Sequence, residues 1–177
     1  MNREQVEHVL RASAVIANET SFVVIGSQAV LFPFPDAPAS LLVSRELDLY
    51  PALHPERSDL IDGAIGAMSS FHETFGYYAD GVGPETAVMP ADWMSRASLH
   101  YIGEITAICP DIHDLAVSKC VAARDKVVDF VRVLLKERRV DAATLEQRIR
   151  LLDPTTYPVA ALIAWARCRA AEANTTP

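Results

Sequence analysis

The first part of the chain alternates between two spacings of apolar residues, one typical of helices and one typical of strands. Residues 2–18 place apolar side chains along one helical face, which predicts a helix. Phe22-Val23-Val24-Ile25 is a short run of β-forming residues that ends at Gly26, and it predicts a buried strand. Ser27 follows at once, and we expect its hydroxyl to cap the N-terminus of a short helix.

The rest of the chain is divided by prolines, glycines and changes of spacing. We predict further strands at 42–50, 71–78 and 99–109, and helices at 55–65, 111–139, 142–152 and 158–171. Strands and helices mix up to residue 110 and only helices follow, so the predicted fold class is α+β. We expect a single compact domain, with a sheet core over residues 1–110 and a helical C-terminal part over residues 111–177 packed on it.

Length and composition limit the class of protein. The chain has 177 residues, 50% of them hydrophobic, which is enough for one substantial core. Its three cysteines are too few and too far apart for a disulfide framework or a tetrahedral zinc site. The polar N-terminal residues and the lack of a long apolar run predict neither a secretory signal nor a membrane span. We therefore expect a cytoplasmic protein without a membrane partner.

The net charge of −7 is distributed unevenly along the chain. Residues 1–110 contain five Lys and Arg against 14 Asp and Glu, which gives −9, and residues 111–177 contain 11 against nine, which gives +2. The overall acidity argues against a dedicated nucleic-acid-binding protein. It fits a metal-binding half beside a segment that tolerates polyanions, and on charge alone it fits a solvated acidic surface about as well.

Two carboxylates stand one residue apart on the second predicted strand. Glu46 and Asp48 occupy positions i and i+2, so they point to the same face of the strand. Carboxylates held this closely repel each other unless water or a cation separates them. The pair fits Mg²⁺ (or Mn²⁺), which uses such ligands and keeps open positions for waters and phosphates. An edge strand with one solvated face explains the pair about equally well if it is taken by itself.

The turn after the first strand offers a second kind of chemistry. Gly26 lets the backbone approach a ligand closely, and Ser27 adds a hydroxyl at the predicted start of a helix. These groups suit an anion such as a triphosphate, although an ordinary strand–turn–helix connection fits the same residues. Lys119, on the long predicted helix, is a candidate cation for charge that develops during phosphoryl transfer, and a surface lysine is the alternative.

Two sequence features together resemble the nucleotidyltransferase superfamily that shares its fold with polymerase β. The first is Val23-Val24-Ile25-Gly26-Ser27 followed, after a spacer, by Glu46-Leu47-Asp48-Leu49-Tyr50-Pro51. The second is the run from Asp111 to Lys119 followed by Ala122-Ala123-Arg124-Asp125-Lys126. It is similar to the Lys…Ala…Arg helix of the AbiEii-like and MenT-type bacterial nucleotidyltransferases. The resemblance covers about residues 20–140.

The resemblance implies a nucleotidyltransferase-type mixed sheet flanked by helices, with a helical C-terminal part. It also implies metal-dependent attack on the α-phosphate of a nucleoside triphosphate, with tRNA or a protein as acceptor. The setting would be a toxin–antitoxin pair, so a cognate antitoxin is an expected partner. Glu46 and Asp48 would hold the metal, and Gly26, Ser27 and Arg124 would bind the nucleotide.

The chain departs from the family pattern at two of the expected acids. Glu46 stands where Asp is usual. A carboxylate that commonly follows the arginine of the later helix is missing, so Asp129 is predicted as the third catalytic acid, with Glu104 as a rival. These departures leave a second hypothesis open. In it, a catalytically degenerate member of the fold serves as a nucleotide-binding or protein-interaction module.

Overall fold

Seven α-helices and five β-strands make up the described part of the chain. The computed structural model describes residues 1–122 and 125–175, with side chains for all of these except residues 125–129, 174 and 175. The strands are β1 (Ser21–Val24), β2 (Glu46–Pro51), β3 (Tyr78–Gly81), β4 (Ser98–Ile102) and β5 (Ile105–Cys109). The helices are α1 (Arg3–Ala17), α2 (Ser58–Ile65), α3 (Ser70–Phe75), α4 (Ile112–Ala122), α5 (Asp125–Lys136), α6 (Ala142–Ile149) and α7 (Val159–Thr175).

The chain divides into two compact units. The sheet unit comprises residues 1–87 and 97–110, and the helical unit comprises residues 88–96 and 111–177. The sheet core predicted over residues 1–110 also includes residues 88–96. They belong to the helical unit because Arg96, at the end of this segment, pairs with Asp114 of α4.

The sheet unit is built on a mixed sheet with the strand order β3-β2-β1-β5-β4. β1 pairs antiparallel with β2 and parallel with β5. The outer pairs are β2 with β3, which is parallel, and β4 with β5, which is antiparallel. The predicted α+β class is therefore confirmed. β1 has three fully buried positions, Phe22, Val23 and Val24, which explains its uninterrupted apolar sequence.

β2 shows the alternation that the candidate site requires. Leu47 and Leu49 are fully buried, whereas Glu46 and Asp48, which alternate with them, are half-buried. Burying the two leucines on one face stabilises the strand by about 1.5–3 kcal/mol for each side chain. The same register turns both carboxylates to the opposite face, as the sequence predicts.

The predicted strand over residues 71–78 is wrong for most of its length. Residues 70–75 form helix α3, and the strand begins only at Tyr78. Ser69 caps this helix by accepting a hydrogen bond from the His72 N–H group at 3.2 Å, and Gly76 ends it. These two capping residues outweigh the β-propensity of the aromatic residues between them. The predicted strand over 42–50 is also shorter than expected, since β2 begins at Glu46.

A buried ion pair holds the helical unit together. Asp114 of α4 has no solvent exposure, and its two oxygens accept hydrogen bonds from Arg96 Nε at 2.8 Å and Arg96 Nη2 at 3.1 Å. Arg148 of α6 lies 3.7 Å from the same carboxylate. Hydrogen bonds to Asp114 and then to Asp92 raise the pKa of the Arg96 guanidinium. The carboxylate thus links residues 88–96, α4 and α6.

We expect Asp114→Ala to lower the free energy of unfolding of the helical unit by about 3–5 kcal/mol, because two partly buried guanidinium groups lose their shared carboxylate. Urea unfolding followed by circular dichroism measures the loss. The matched control is Asp92→Ala, which also removes a partner of Arg96 but from a side chain that is 61% exposed. This control should cost much less, because solvent screens an exposed ion pair. Equal losses in the two variants would contradict a special role for the buried carboxylate.

Candidate active site

The Gly26 turn and the Asp48 carboxylate are in direct contact. The Ile25 N–H group donates to the Asp48 carbonyl oxygen at 2.9 Å, so β1 and β2 stay paired up to the turn. Gly26 then adopts φ +73° and ψ −174°, a conformation that only glycine tolerates well. A Cβ atom built on Gly26 would lie 1.7 Å from Asp48 Oδ2. The carboxylate therefore occupies the space that a side chain at position 26 would fill.

The residue that follows the turn differs from its prediction in one respect. Ser27 is not the N-cap of the next helix. Gly26 holds that position, and Ser27 is the first residue of a five-residue 3₁₀ helix, Ser27–Leu31, which no side chain caps. The half-buried Ser27 stays next to the Gly26–Asp48 contact because it is directly joined to Gly26.

Glu46 is held by a tyrosine on the neighbouring strand. Tyr78 lies directly across from Glu46 in the β2–β3 pairing, and its hydroxyl donates a hydrogen bond to Glu46 Oε2 at 2.8 Å. The hydrogen bond to Glu46 is the largest cause that raises the pKa of Tyr78 to about 12, followed by burial and by the charges of nearby carboxylates. The phenol is therefore a hydrogen-bond donor at neutral pH.

A third carboxylate, from Asp80, lies beside the predicted pair. Asp80 is the register partner of Asp48 in the parallel β2–β3 pairing. Partial burial and then the charges of Glu46 and Asp62 raise the pKa of Asp80. Three carboxylates from two adjacent strands therefore face the same region.

Sequence reasoning missed Asp80 and Tyr78 because it placed the third strand too early. Tyr78 and Asp80 stand at i and i+2, which is the spacing that identified Glu46 and Asp48 on β2. A strand predicted to end at residue 78 left Asp80 outside it, so the shared spacing does not emerge from the sequence.

Four predicted site residues lie outside residues 21–51 of the sequence. Glu104, the rival third acid, lies exposed in the turn between β4 and β5, and two strands of the sheet separate β4 from β2. Lys119 belongs to the helical unit, where its Nζ atom lies 5.9 Å from the centre of the Phe130 ring. Arg124 and the Asp129 side chain lie outside the described residues.

The arrangement of these acids fits a cation that arrives with its own ligands. Among the residues that the structure describes, no group of three or more His, Cys, Asp or Glu side chains is placed to hold a metal ion. Mg²⁺ commonly uses only one or two protein carboxylates and takes its remaining ligands from water and substrate phosphates. Glu46 and Asp48 meet that requirement, and a divalent cation would offset the burial and the charges of Glu46 and Asp62 that raise the pKa of Asp80.

Comparison with known proteins adds nothing to these observations. The chain matches no protein-family model, no curated protein and no solved structure. Within the described ranges, every helix is too short or too polar to cross a lipid bilayer. Any functional argument therefore depends on the geometry of the site and on the resemblance of its motifs.

We expect Gly26→Ala to destabilise the sheet unit and to displace the Asp48 carboxylate. The backbone conformation alone costs about 1–3 kcal/mol for alanine, and the clash with Asp48 adds to that cost. The matched control is Gly103→Ala, which also places alanine at a positive φ (+62°) but with no atom within 4 Å of the new methyl group. Thermal and urea unfolding compare the two variants. Equal destabilisation would contradict the close contact at Gly26.

We expect Asp80→Asn to raise the melting temperature at pH 7 in the absence of divalent metal. The folded protein raises the pKa of this carboxyl, so its ionisation destabilises the fold as the pH increases. The gain should shrink on acidification and disappear below the ordinary pKa of 3.8, where the acid is protonated in both states. Each kcal/mol corresponds to about 2–4 °C for a chain of this length.

Asp59→Asn, on an exposed position of α2, is the control for Asp80→Asn and should leave the melting temperature nearly unchanged. Differential scanning calorimetry between pH 3 and pH 8 provides the measurement. A lower melting temperature for Asp80→Asn at pH 7 would mean that the carboxylate makes a stabilising contact. That result would contradict a pKa raised by burial and by the charges of Glu46 and Asp62.

Proposed function

We propose that the chain is a metal-dependent nucleotidyltransferase that transfers a nucleoside monophosphate from a nucleoside triphosphate to an acceptor. The observation that carries the proposal is the contact of the Asp48 carboxylate with the Gly26 backbone, with Glu46 on the same face of β2. Such a site offers oxygen ligands to a cation beside a backbone that a phosphate can approach closely. The resemblance of both motifs to nucleotidyltransferases supports the same function, and the proposal includes a nucleotidyltransferase-type mixed sheet.

Each candidate site residue on β2, β3 and the Gly26 turn has a role in this proposal. Glu46 and Asp48 would hold Mg²⁺ (or Mn²⁺), which would supply positive charge to neutralise the phosphates and make the acceptor oxygen more reactive. Gly26 and Ser27 bind the outer phosphates. Asp80 is the described carboxylate best placed to take the proton of the acceptor hydroxyl, since it faces the metal ligands without being one of them.

The reaction is a displacement at the α-phosphorus. The acceptor oxygen forms a bond to the α-phosphorus while the bond from that atom to the bridging oxygen breaks. Pyrophosphate leaves with the electron pair of the broken bond, and the acceptor proton passes to a carboxylate. Catalysis then consists mainly of positioning the two oxygens and stabilising charge, for which the chain needs acids held rigidly on strands.

Several parts of the proposal depend on the resemblance alone. Lys119 is the proposed cation for the transition state, and Arg124 is a proposed nucleotide contact. Asp129 remains a predicted catalytic acid, although Asp80 has the better structural support. The acceptor is tRNA or a protein, within a bacterial toxin–antitoxin pair in the cytoplasm, and the antitoxin is the expected protein partner.

In a second candidate function, the protein binds a nucleotide or another protein but does not catalyse nucleotide transfer. Because no group of three or more potential ligands is placed to hold a metal in the described part of the chain, a degenerate site that only binds a nucleotide or a protein is the alternative. Isothermal titration with each nucleoside triphosphate, with and without Mg²⁺, separates the candidates. Metal-dependent nucleotide binding favours the enzyme, and no binding at millimolar nucleotide favours a protein-interaction module.

We expect Asp48→Asn to reduce nucleotide transfer by about 100-fold or more, because it removes a charged metal ligand without changing its shape. Transfer is measured with each α-labelled nucleoside triphosphate, Mg²⁺, and either bulk bacterial tRNA or the protein itself as acceptor. The melting temperature should stay nearly unchanged, since the amide keeps the size and shape of the carboxylate.

Glu104→Gln is the matched control for Asp48→Asn. It removes one carboxylate from the same unit at the exposed β4–β5 turn and should leave transfer unchanged. If Asp48→Asn unfolds the protein while the wild-type chain shows no transfer to either acceptor, the carboxylate has a structural role and the proposal fails.

A further inference from the structure

The hydroxyl of Tyr78 fixes one oxygen of Glu46. It donates to Glu46 Oε2 at 2.8 Å across the β2–β3 pairing, so one of the two carboxylate oxygens is occupied and the other stays available. Glu46 has one more rotatable bond than an aspartate would have at this position. Without a partner, a glutamate at a half-buried strand position samples several rotamers, and each metal-binding event must then restrict it.

The ring of Tyr78 is itself held in place. The His72 ring of α3 packs on it with a distance of 4.5 Å between ring centres. His72 is restrained in turn, because its Nδ1 atom accepts a hydrogen bond from the Met68 N–H group at 3.1 Å and its own N–H donates to Ser69 Oγ at 3.2 Å. The path from α3 to Glu46 is therefore a continuous series of short contacts.

We propose that Tyr78 is a positioning residue that orients Glu46 for binding the divalent cation. This inference rests on the proposed function, and it names the group that allows a glutamate to act as the first acid of the site. Carboxylates that bind metals are commonly oriented by hydrogen bonds from a second layer of residues, and removal of such a partner typically weakens metal binding by about 10–100-fold. Tyr78 is that partner here.

The test compares Tyr78→Phe with Tyr77→Phe. Both substitutions remove one tyrosine hydroxyl from neighbouring positions, but the Tyr77 hydroxyl bonds to His8 Nδ1 at 2.8 Å and does not contact the carboxylates. Mn²⁺ affinity is measured by electron paramagnetic resonance, with and without a nucleoside triphosphate. We expect Tyr78→Phe to weaken Mn²⁺ binding by about 10–100-fold and Tyr77→Phe to change it by less than about twofold.

A double-mutant cycle with Glu46→Asp separates positioning from a merely structural effect. The shorter side chain of Asp withdraws from the Tyr78 hydroxyl, so in that background Tyr78→Phe should change Mn²⁺ affinity by less than about twofold. An equal loss in both backgrounds would show that Tyr78 acts through something other than Glu46 and would overturn the inference. The cycle compares affinities within each background, so a general loss of stability cannot imitate coupling.

Failure of the inference and failure of the proposed function give different results. If the wild-type chain binds no Mn²⁺ even with nucleotide present, the proposed metal-dependent function fails and the inference fails with it. If the wild-type chain binds Mn²⁺ and Tyr78→Phe binds it equally well, only the positioning role is overturned. A selective loss in Tyr78→Phe that disappears in the Glu46→Asp background supports both.

Discussion

The contact between Gly26 and the Asp48 carboxylate is the constraint on which the candidate site depends. Gly26 combines a positive φ with a missing side chain, and Asp48 Oδ2 lies where that side chain would be. A backbone turn and a carboxylate can approach this closely only at glycine. The contact joins two segments that are 22 positions apart in the sequence, and it gives a single location to chemistry that each segment only suggests.

The three carboxylates on β2 and β3 lower the stability of the fold at the candidate site. Glu46, Asp48 and Asp80 occupy neighbouring positions on two strands, within a part of the chain that already carries excess negative charge. Burial, and then the charges of Glu46 and Asp62, raise the pKa of Asp80, so its ionised form destabilises the fold. Like-charged groups that are held together at a cost in stability are typical of functional sites. Under the proposed function, a bound cation would neutralise part of this charge.

The sequence predicted the structure correctly where a single apolar periodicity was present and no capping residues opposed it. Alternation along β2 predicted that Glu46 and Asp48 share a face, because Leu47 and Leu49 have to be buried. It failed at residues 71–78, where helix caps at both ends outweigh the β-propensity of aromatic residues. That error concealed Asp80, since its relation to Asp48 arises from the pairing of strands that are distant in sequence. The hydrogen bond between Tyr78 and Glu46 depends on the same β2–β3 register, which no local sequence pattern specifies.

A second glycine, Gly81, places Asp80 in the site. A Cβ atom on Gly81 would lie 2.1 Å from the Ser58 carbonyl oxygen, so the end of β3 packs on the start of α2 without room for a side chain. β3 is a four-residue edge strand with a single strand neighbour, and it needs this close packing to hold its register against β2. Gly26, just after β1, and Gly81, at the end of β3, therefore act in the same way on the two strands that flank β2. Each removes a side chain so that an element can approach, and together they align Asp48 with Asp80.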